Sequence, residues 1–142
     1  MSETTNPRSP MYERGLETLR EIGMKPEGLG PGLFPALPLE LAEDASRKLI
    51  EFCFGDTWGR PGSHIDLKMR RMITISALVA MGRERQLRGH IGGALDQGIS
   101  PEEIVESLIH LIAYCGFPAG LTALTIANEV FAEKKVGRAA GG

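Results

Sequence analysis

Apolar and polar positions along the chain follow helical spacing in six segments. Apolar residues recur every three or four positions within residues 11–22, 38–54, 68–82, 84–97, 101–115 and 119–135. No stretch alternates with a period of two for long enough to predict a strand. The pattern therefore predicts an all-α fold, a helical bundle of about six helices.

Several boundaries of these helices have clear chemical signals. Asp66 can cap the third helix, and Ser100 followed by Pro101 and Glu103 is typical of a helix start with a capping box. The run Gly116-Phe117-Pro118 is expected to break the chain between the last two helices. We expect one domain over residues 11–136, between a flexible leader at residues 1–10 and a tail at residues 137–142.

Composition narrows the class of protein. The 142 residues carry a net charge of -2 with both signs mixed along the chain, which argues against a nucleic-acid partner. No apolar run reaches the length of a membrane span, and the start lacks the apolar core of a signal peptide, so we expect a soluble, cytoplasmic protein. Cys53 and Cys115 lie far apart, and both are expected to be reduced. Three helices are too apolar for the surface of a monomer, which predicts a homo-oligomer.

Unusual chemistry concentrates between residues 88 and 118, which hold two of the three histidines. His90 falls on the apolar face of its helix, where an isolated imidazole is more often a hydrogen-bonded core residue than a catalytic one. His110 and Tyr114 are four residues apart and share a helix face, with Glu106 one turn earlier. That face borders either solvent or a cavity.

Two further places attract interest. The predicted loop at residues 55–64 holds the only tryptophan, Trp58, together with Arg60 and His64. Trp58 either lines a site or plugs the edge of the core, and His64 is expected to be solvated. Arg71 begins a very apolar helix, so its guanidinium must reach solvent or pair with an anion, either an internal carboxylate or a substrate.

Two runs together resemble a known family. FGDTWGRPG, and then RRMITISALVAMGRERQLRGHIGGALDQGISPEEIVESLIHLIAYCGFPAGLTAL, are similar to the carboxymuconolactone decarboxylase family over about residues 54–130. The resemblance implies an all-helical fold shared with alkyl hydroperoxide reductase D type proteins, assembled as a homotrimer or homohexamer. It also implies cofactor-free decarboxylation of 4-carboxymuconolactone to an oxoadipate enol-lactone, in the degradation of aromatic compounds.

Departures from the pattern refine what the resemblance implies. Peroxidase relatives carry two cysteines where this chain has Arg83 and Gln86, so the thiol cycle is excluded by its missing residues. They also tend to carry a relay glutamate at the position of Arg71. Family decarboxylases commonly have an arginine two residues after the histidine, where this chain has Gly92. That difference leaves the exact lactone or cyclic carboxylic acid open.

The expected reaction leaves negative charge on a conjugated lactone carbonyl, and it requires a hydrogen-bond donor, an acid and a dry pocket, but no metal or cofactor. We expect His90 to be the acid, because an imidazole with its unperturbed pKa of about 6.5 can donate a proton near neutral pH. The protonation state of His90 itself stays open. The remaining expected site residues are Tyr114, His110 and Glu106 near the reacting atoms, and Arg60, Arg71, Trp58 and Phe117 around the substrate. Two alternatives stay open: another acid/base enzyme, such as an isomerase, cyclase or hydrolase, and a non-catalytic oligomeric binding module.

Overall fold

A computed structural model describes residues 8–136 of the chain, and this part is helical without a strand. The six α-helices and the one π-helical segment are α1 (Pro10–Glu21), α2 (Leu39–Lys48), the π segment (Leu49–Trp58), α3 (Leu67–Met81), α4 (Glu84–Asp96), α5 (Pro101–Cys115) and α6 (Phe117–Glu133). Two short 3-10 turns, Pro26–Leu29 and Pro31–Leu33, lie in the proline-rich loop before α2. The predicted all-α class with six helices is confirmed.

The chain divides into two compact units between His64 and Ile65. The first contains α1, α2 and the π segment, and the second contains α3 to α6. The single domain expected over residues 11–136 stays a prediction. The predicted tail and residues 1–7 of the predicted leader lie outside the described residues, whereas Ser9, at the end of that leader, accepts a hydrogen bond from the Tyr12 amide at 3.0 Å and caps α1.

The first unit is held by close packing of α1 against the π segment. A side chain has no room at the two glycines where these helices meet. A Cβ atom added to Gly15 would lie 2.3 Å from the Ile50 carbonyl oxygen, and one added to Gly55 would lie 2.2 Å from that of Met11. The helix predicted to end at residue 54 continues as π-helix to Trp58. The loop therefore begins at residue 59 and not at residue 55. The helical conformation continues because it buries the side chains of Phe54 and Trp58.

The second unit surrounds a continuous apolar core contributed by all four of its helices. Ile75, Ile91, Ile104 and Leu108 have no exposed surface, and Val130 is 2% exposed. The predicted helix starts are confirmed: Asp66 accepts from the Met69 amide at 2.8 Å, and the capping box of Ser100 and Glu103 is complete.

The start of α6 differs from the prediction. Gly116, with φ at 88°, is the one residue between α5 and α6, and Phe117 and Pro118 already belong to the first turn of α6. Proline fits there because the first turn of a helix leaves its backbone N–H groups without intrahelical acceptors. Phe117 therefore sits at a helix start, where it is 66% exposed.

Apolar surface remains exposed on the second unit. On α3, Met69, Ile73 and Met81 are each more than half exposed. On α5 and α6 the same holds for Ile109, Tyr114, Phe117 and Leu121. Both cysteines are free thiols and partly buried. Within residues 8–136, no helix has the length and apolar character needed to cross a membrane.

Candidate active site

The second unit places Arg71 entirely inside the protein. Arg71 lies in the second turn of α3 and has no exposed surface. Its guanidinium lies against Gly93 of α4, where an added Cβ atom would come within 2.8 Å of Nη1 and 2.9 Å of Nη2. The missing side chain at Gly93 therefore creates the space that the guanidinium occupies.

Two side chains of α4 and its C-terminal cap accept hydrogen bonds from this guanidinium. Arg71 Nη1 lies 2.7 Å from His90 Nδ1, and Arg71 Nε donates to Gln97 Oε1 at 3.1 Å. Burial lowers the pKa of Arg71 to about 10, while the negative charge of Asp96 opposes that shift. Arg71 thus remains a cation at neutral pH. Arg71 was predicted either to reach solvent or to pair with an anion. Contact with solvent is wrong, because the side chain is fully buried, and the anion inside the protein is Asp96, which acts on Arg71 through its charge.

His90 is neutral in this setting. Burial, and to a smaller extent the positive charge of Arg71, lower the pKa of its imidazole to about 4. At pH 7 about one ring in a thousand would carry the second proton. The sequence left the protonation state of His90 open, and its surroundings favour the neutral ring. The assignment of His90 to the chemistry stays a prediction, but an imidazolium is not the form present.

The candidates on α5 lie at the protein surface. The rings of His110 and Tyr114 have centroids 5.2 Å apart and are tilted by 39°. Glu106 and His110 are exposed, and Tyr114 is 78% exposed. Of the two surroundings left open for this face, the structure gives solvent. Whether these side chains and exposed Phe117 take part in a site stays a prediction.

The candidates before residue 65 belong to the first unit. Trp58 is buried and packs on Phe54, with ring centroids 5.9 Å apart. This is the arrangement expected for a tryptophan that fills the edge of a core. Arg60 and His64 are exposed. The substrate contacts predicted for Trp58 and Arg60 stay predictions.

Open space in the second unit lies along α4 and α6. A cleft of about 490 Å³ is lined by Glu84, Arg85, Arg88, Leu121, Thr122, Thr125, Ile126 and Glu129. A smaller one of about 250 Å³ is lined by Leu78, Val79, Gly82, Glu84, Leu87, Pro118, Ala119, Thr122 and Ala123. His90 lines neither of them. The wall of the larger cleft is charged, but Arg88 is paired with Glu129 and Glu133, so that arginine gives the cleft little net attraction for an anion.

Sequence reasoning missed two residues of this site, Gly93 and Gln97, and it missed the hydrogen bond between Arg71 and His90. Positions 90, 93 and 97 are spaced by three and four residues, so they share one face of α4, and this signal was readable. That Arg71 crosses to this face could only come from the packing of α3 on α4. Among the described residues no group of three or more His, Cys, Asp or Glu side chains could hold a metal ion.

The sequence of this chain is similar to those of known proteins over the segment that holds Arg71 and His90. The model of the carboxymuconolactone decarboxylase family matches residues 43–129, a range that includes Arg71 and His90. A 4-carboxymuconolactone decarboxylase of Acinetobacter baylyi is 35% identical over 89 residues, which are 63% of this chain and 65% of that protein. A nitrosuccinic acid decarboxylase of Metarhizium robertsii is 30% identical over 119 residues, 84% of this chain and 80% of that protein. An uncharacterized 15.0 kDa protein of Paracoccus denitrificans is 35% identical over 104 residues, 72% of this chain and 70% of that protein.

Proposed function

The chain belongs to the carboxymuconolactone decarboxylase family, and from this membership we propose that it is a carbon–carbon lyase that removes CO2 from a small carboxylic acid without a cofactor. The leading reaction is the conversion of 4-carboxymuconolactone to the oxoadipate enol-lactone. In this proposal the enzyme acts in the cytoplasm, in the degradation of aromatic compounds.

The two named substrates of the relatives share one chemical requirement. When a carboxylated muconolactone loses CO2, the electron pair of the broken C–C bond moves into the conjugated lactone and forms an enolate. When nitrosuccinic acid loses the carboxylate beside its nitro group, the pair moves into that group and forms a nitronate. In both cases negative charge develops on an oxygen atom, and a proton from water then completes the product. A fixed hydrogen-bond donor at that oxygen lowers the barrier.

The observation that carries the proposal is the Arg71–His90 pair within the segment that the family model matches. A neutral imidazole is a poor proton donor but a good hydrogen-bond donor, and its N–H bond can point at the developing oxyanion. A partly buried ring strengthens such a bond, since the surrounding dielectric is low. His90 is therefore proposed as the oxyanion donor in place of the imidazolium acid.

Nitrosuccinic acid is the second candidate substrate, for two reasons. The Metarhizium relative matches a larger share of this chain than the Acinetobacter one does. This chain also has Gly92 where decarboxylases of the carboxymuconolactone type commonly carry an arginine, which favours a substrate with different anionic contacts. The reaction type is the same for both candidates, so the choice concerns the substrate alone.

A homo-oligomer is proposed on the basis of the apolar side chains that α3, α5 and α6 leave exposed, and the family resemblance favours a homotrimer or homohexamer. A folded chain of this size gains free energy by covering such surface, at roughly 25 cal/mol for each Å². Light scattering coupled to size-exclusion chromatography measures the state directly. A monomer at micromolar concentration would contradict this part of the proposal.

The test is a CO2-release assay on purified protein with 4-carboxymuconolactone and with nitrosuccinate, and with succinate as a substrate that lacks an electron sink. We expect release from one of the first two acids only. His90→Ala, which leaves no side-chain donor, should lower kcat by about 100-fold or more, the range for loss of one oxyanion donor. His64→Ala is the matched control, because His64 is exposed in the first unit. Folded protein that releases no CO2 from either acid would contradict the proposal, and would leave the acid/base enzyme and the binding module as alternatives.

A further inference from the structure

We propose that Arg71 is a positioning residue, which holds the neutral ring of His90 in the tautomer that carries its proton on Nε2. Arginine has five N–H donors and no acceptor. At 2.7 Å from Arg71 Nη1, the Nδ1 atom of His90 must therefore be the acceptor. A neutral imidazole with one accepting nitrogen carries its proton on the other nitrogen. His90 can then donate from Nε2 and cannot take up a proton there.

The guanidinium of Arg71 is held in place by α4 and its C-terminal cap. Three positions on one face of α4 determine its place: His90 and Gln97 accept its hydrogen bonds, and Gly93 leaves the space between them. Arg71 has no exposed surface, so water does not compete for its donors. The nearby charge on α4 is Asp96, which is itself paired at 2.7 Å with Lys134, the residue that follows α6. The tautomer of His90 is thus set by a rigid partner.

The charge of the side chain that is hydrogen-bonded to Nδ1 determines whether His90 acts as a donor or as a base. A carboxylate in the place of Arg71 would accept from Nδ1–H and leave Nε2 with a lone pair, which is the arrangement of a general base. The guanidinium reverses this arrangement and leaves Nε2–H as a donor. The proposal about catalysis rests on the proposed decarboxylation, and it favours reactions that build negative charge on a substrate oxygen. An Nε2–H ring argues against an isomerase or hydrolase reaction that begins with proton abstraction by His90.

The first experiment measures the tautomer without any substrate. The ring ¹⁵N chemical shifts of the three histidines are recorded at pH 7, and His90 is assigned by the signals lost in His90→Gln. We expect the Nε2–H pattern in the wild-type protein. In Arg71→Met we expect a mixture of tautomers, and in Arg71→Lys, which keeps a cationic donor, a partial return to Nε2–H. An Nδ1–H ring at His90 in the wild type would overturn the proposal, and this result does not require either Arg71 variant to fold.

The second experiment tests whether the tautomer matters for turnover. With the acid that gives CO2, Arg71→Met should lower kcat by about 10- to 100-fold and change KM by less than about threefold, because Arg71 acts through His90 and not on the substrate. Arg71→Lys should recover part of the loss. Wild-type kcat in a folded Arg71→Met protein would overturn the positioning role while leaving the decarboxylase intact. An Nε2–H ring in a protein that releases no CO2 would remove the decarboxylase and keep the positioning of His90.

Discussion

Replacing Gly93 with alanine would place a methyl group where the Arg71 guanidinium now lies. The new Cβ atom would be 2.8 Å from Nη1, whereas ordinary van der Waals contact begins at 3.4 Å, so the guanidinium must retreat by about half an ångström. It has no solvent to move into, because Arg71 is fully buried. The retreat must therefore lengthen its hydrogen bonds to His90 and Gln97.

The expected cost follows from these contacts. A hydrogen bond of a charged group contributes about 1.5–3 kcal/mol to stability. Lengthening the bonds of Arg71 to His90 and Gln97 loses part or all of this free energy. Alanine in place of glycine inside a helix returns about 0.5–1 kcal/mol. We expect Gly93→Ala to lower the free energy of unfolding by about 1–2 kcal/mol. The His90 pKa should rise toward its ordinary value of about 6.5 as the guanidinium withdraws.

Two other glycines of the same helix provide matched controls. A Cβ atom at Gly89 meets nothing within 4 Å, so Gly89→Ala should stabilise the protein by about 0.5–1 kcal/mol. At Gly92 the nearest atom is Cε of exposed Lys134 at 3.4 Å, so Gly92→Ala should be close to neutral. Urea unfolding at one fixed protein concentration gives all three values. If Gly93→Ala is as stable as Gly89→Ala, the guanidinium does not depend on the space at Gly93.

Three more outcomes are expected. Ser100→Ala removes the side chain that caps α5 and should cost about 1 kcal/mol in urea unfolding, and an unchanged midpoint would contradict the capping role. Gly55→Ala should cost about 2–4 kcal/mol because its Cβ atom would overlap the Met11 carbonyl, whereas Gly32→Ala, with nothing within 4 Å, should have little effect. Because burial first, and a neighbouring cation second, lower the pKa of His90 to about 4, the unfolded chain binds a proton between about pH 6.5 and 4 that the folded chain does not. The contribution of the neutral His90 ring to stability is fully present above about pH 6.5. The free energy of unfolding should therefore fall by about 1–2 kcal/mol between about pH 6.5 and 4, allowing for partial solvent exposure. The same fall in His90→Gln would show that other groups cause it.

The sequence alone determined most of the secondary structure of this protein. Helix starts at Asp66 and Ser100 were predictable because capping is local chemistry, which depends on a side chain and an amide three residues away. The π-helical continuation to Trp58 and the inclusion of Phe117 in α6 were not. In both places packing or first-turn geometry outweighed the glycine and proline signals that predicted a break.

The candidate site, too, was predictable from the sequence only in part. The face of α4 that carries His90 could be read from its periodicity, and the resemblance supplied the family. Only the tertiary structure decided the partner of His90, since Arg71 lies nineteen positions earlier and reaches the ring by the packing of α3 on α4. A hydrogen bond between two helices depends on their distance and rotation, which no local pattern encodes. For that reason the sequence placed an imidazole in the site, but its charge and tautomer follow from the fold.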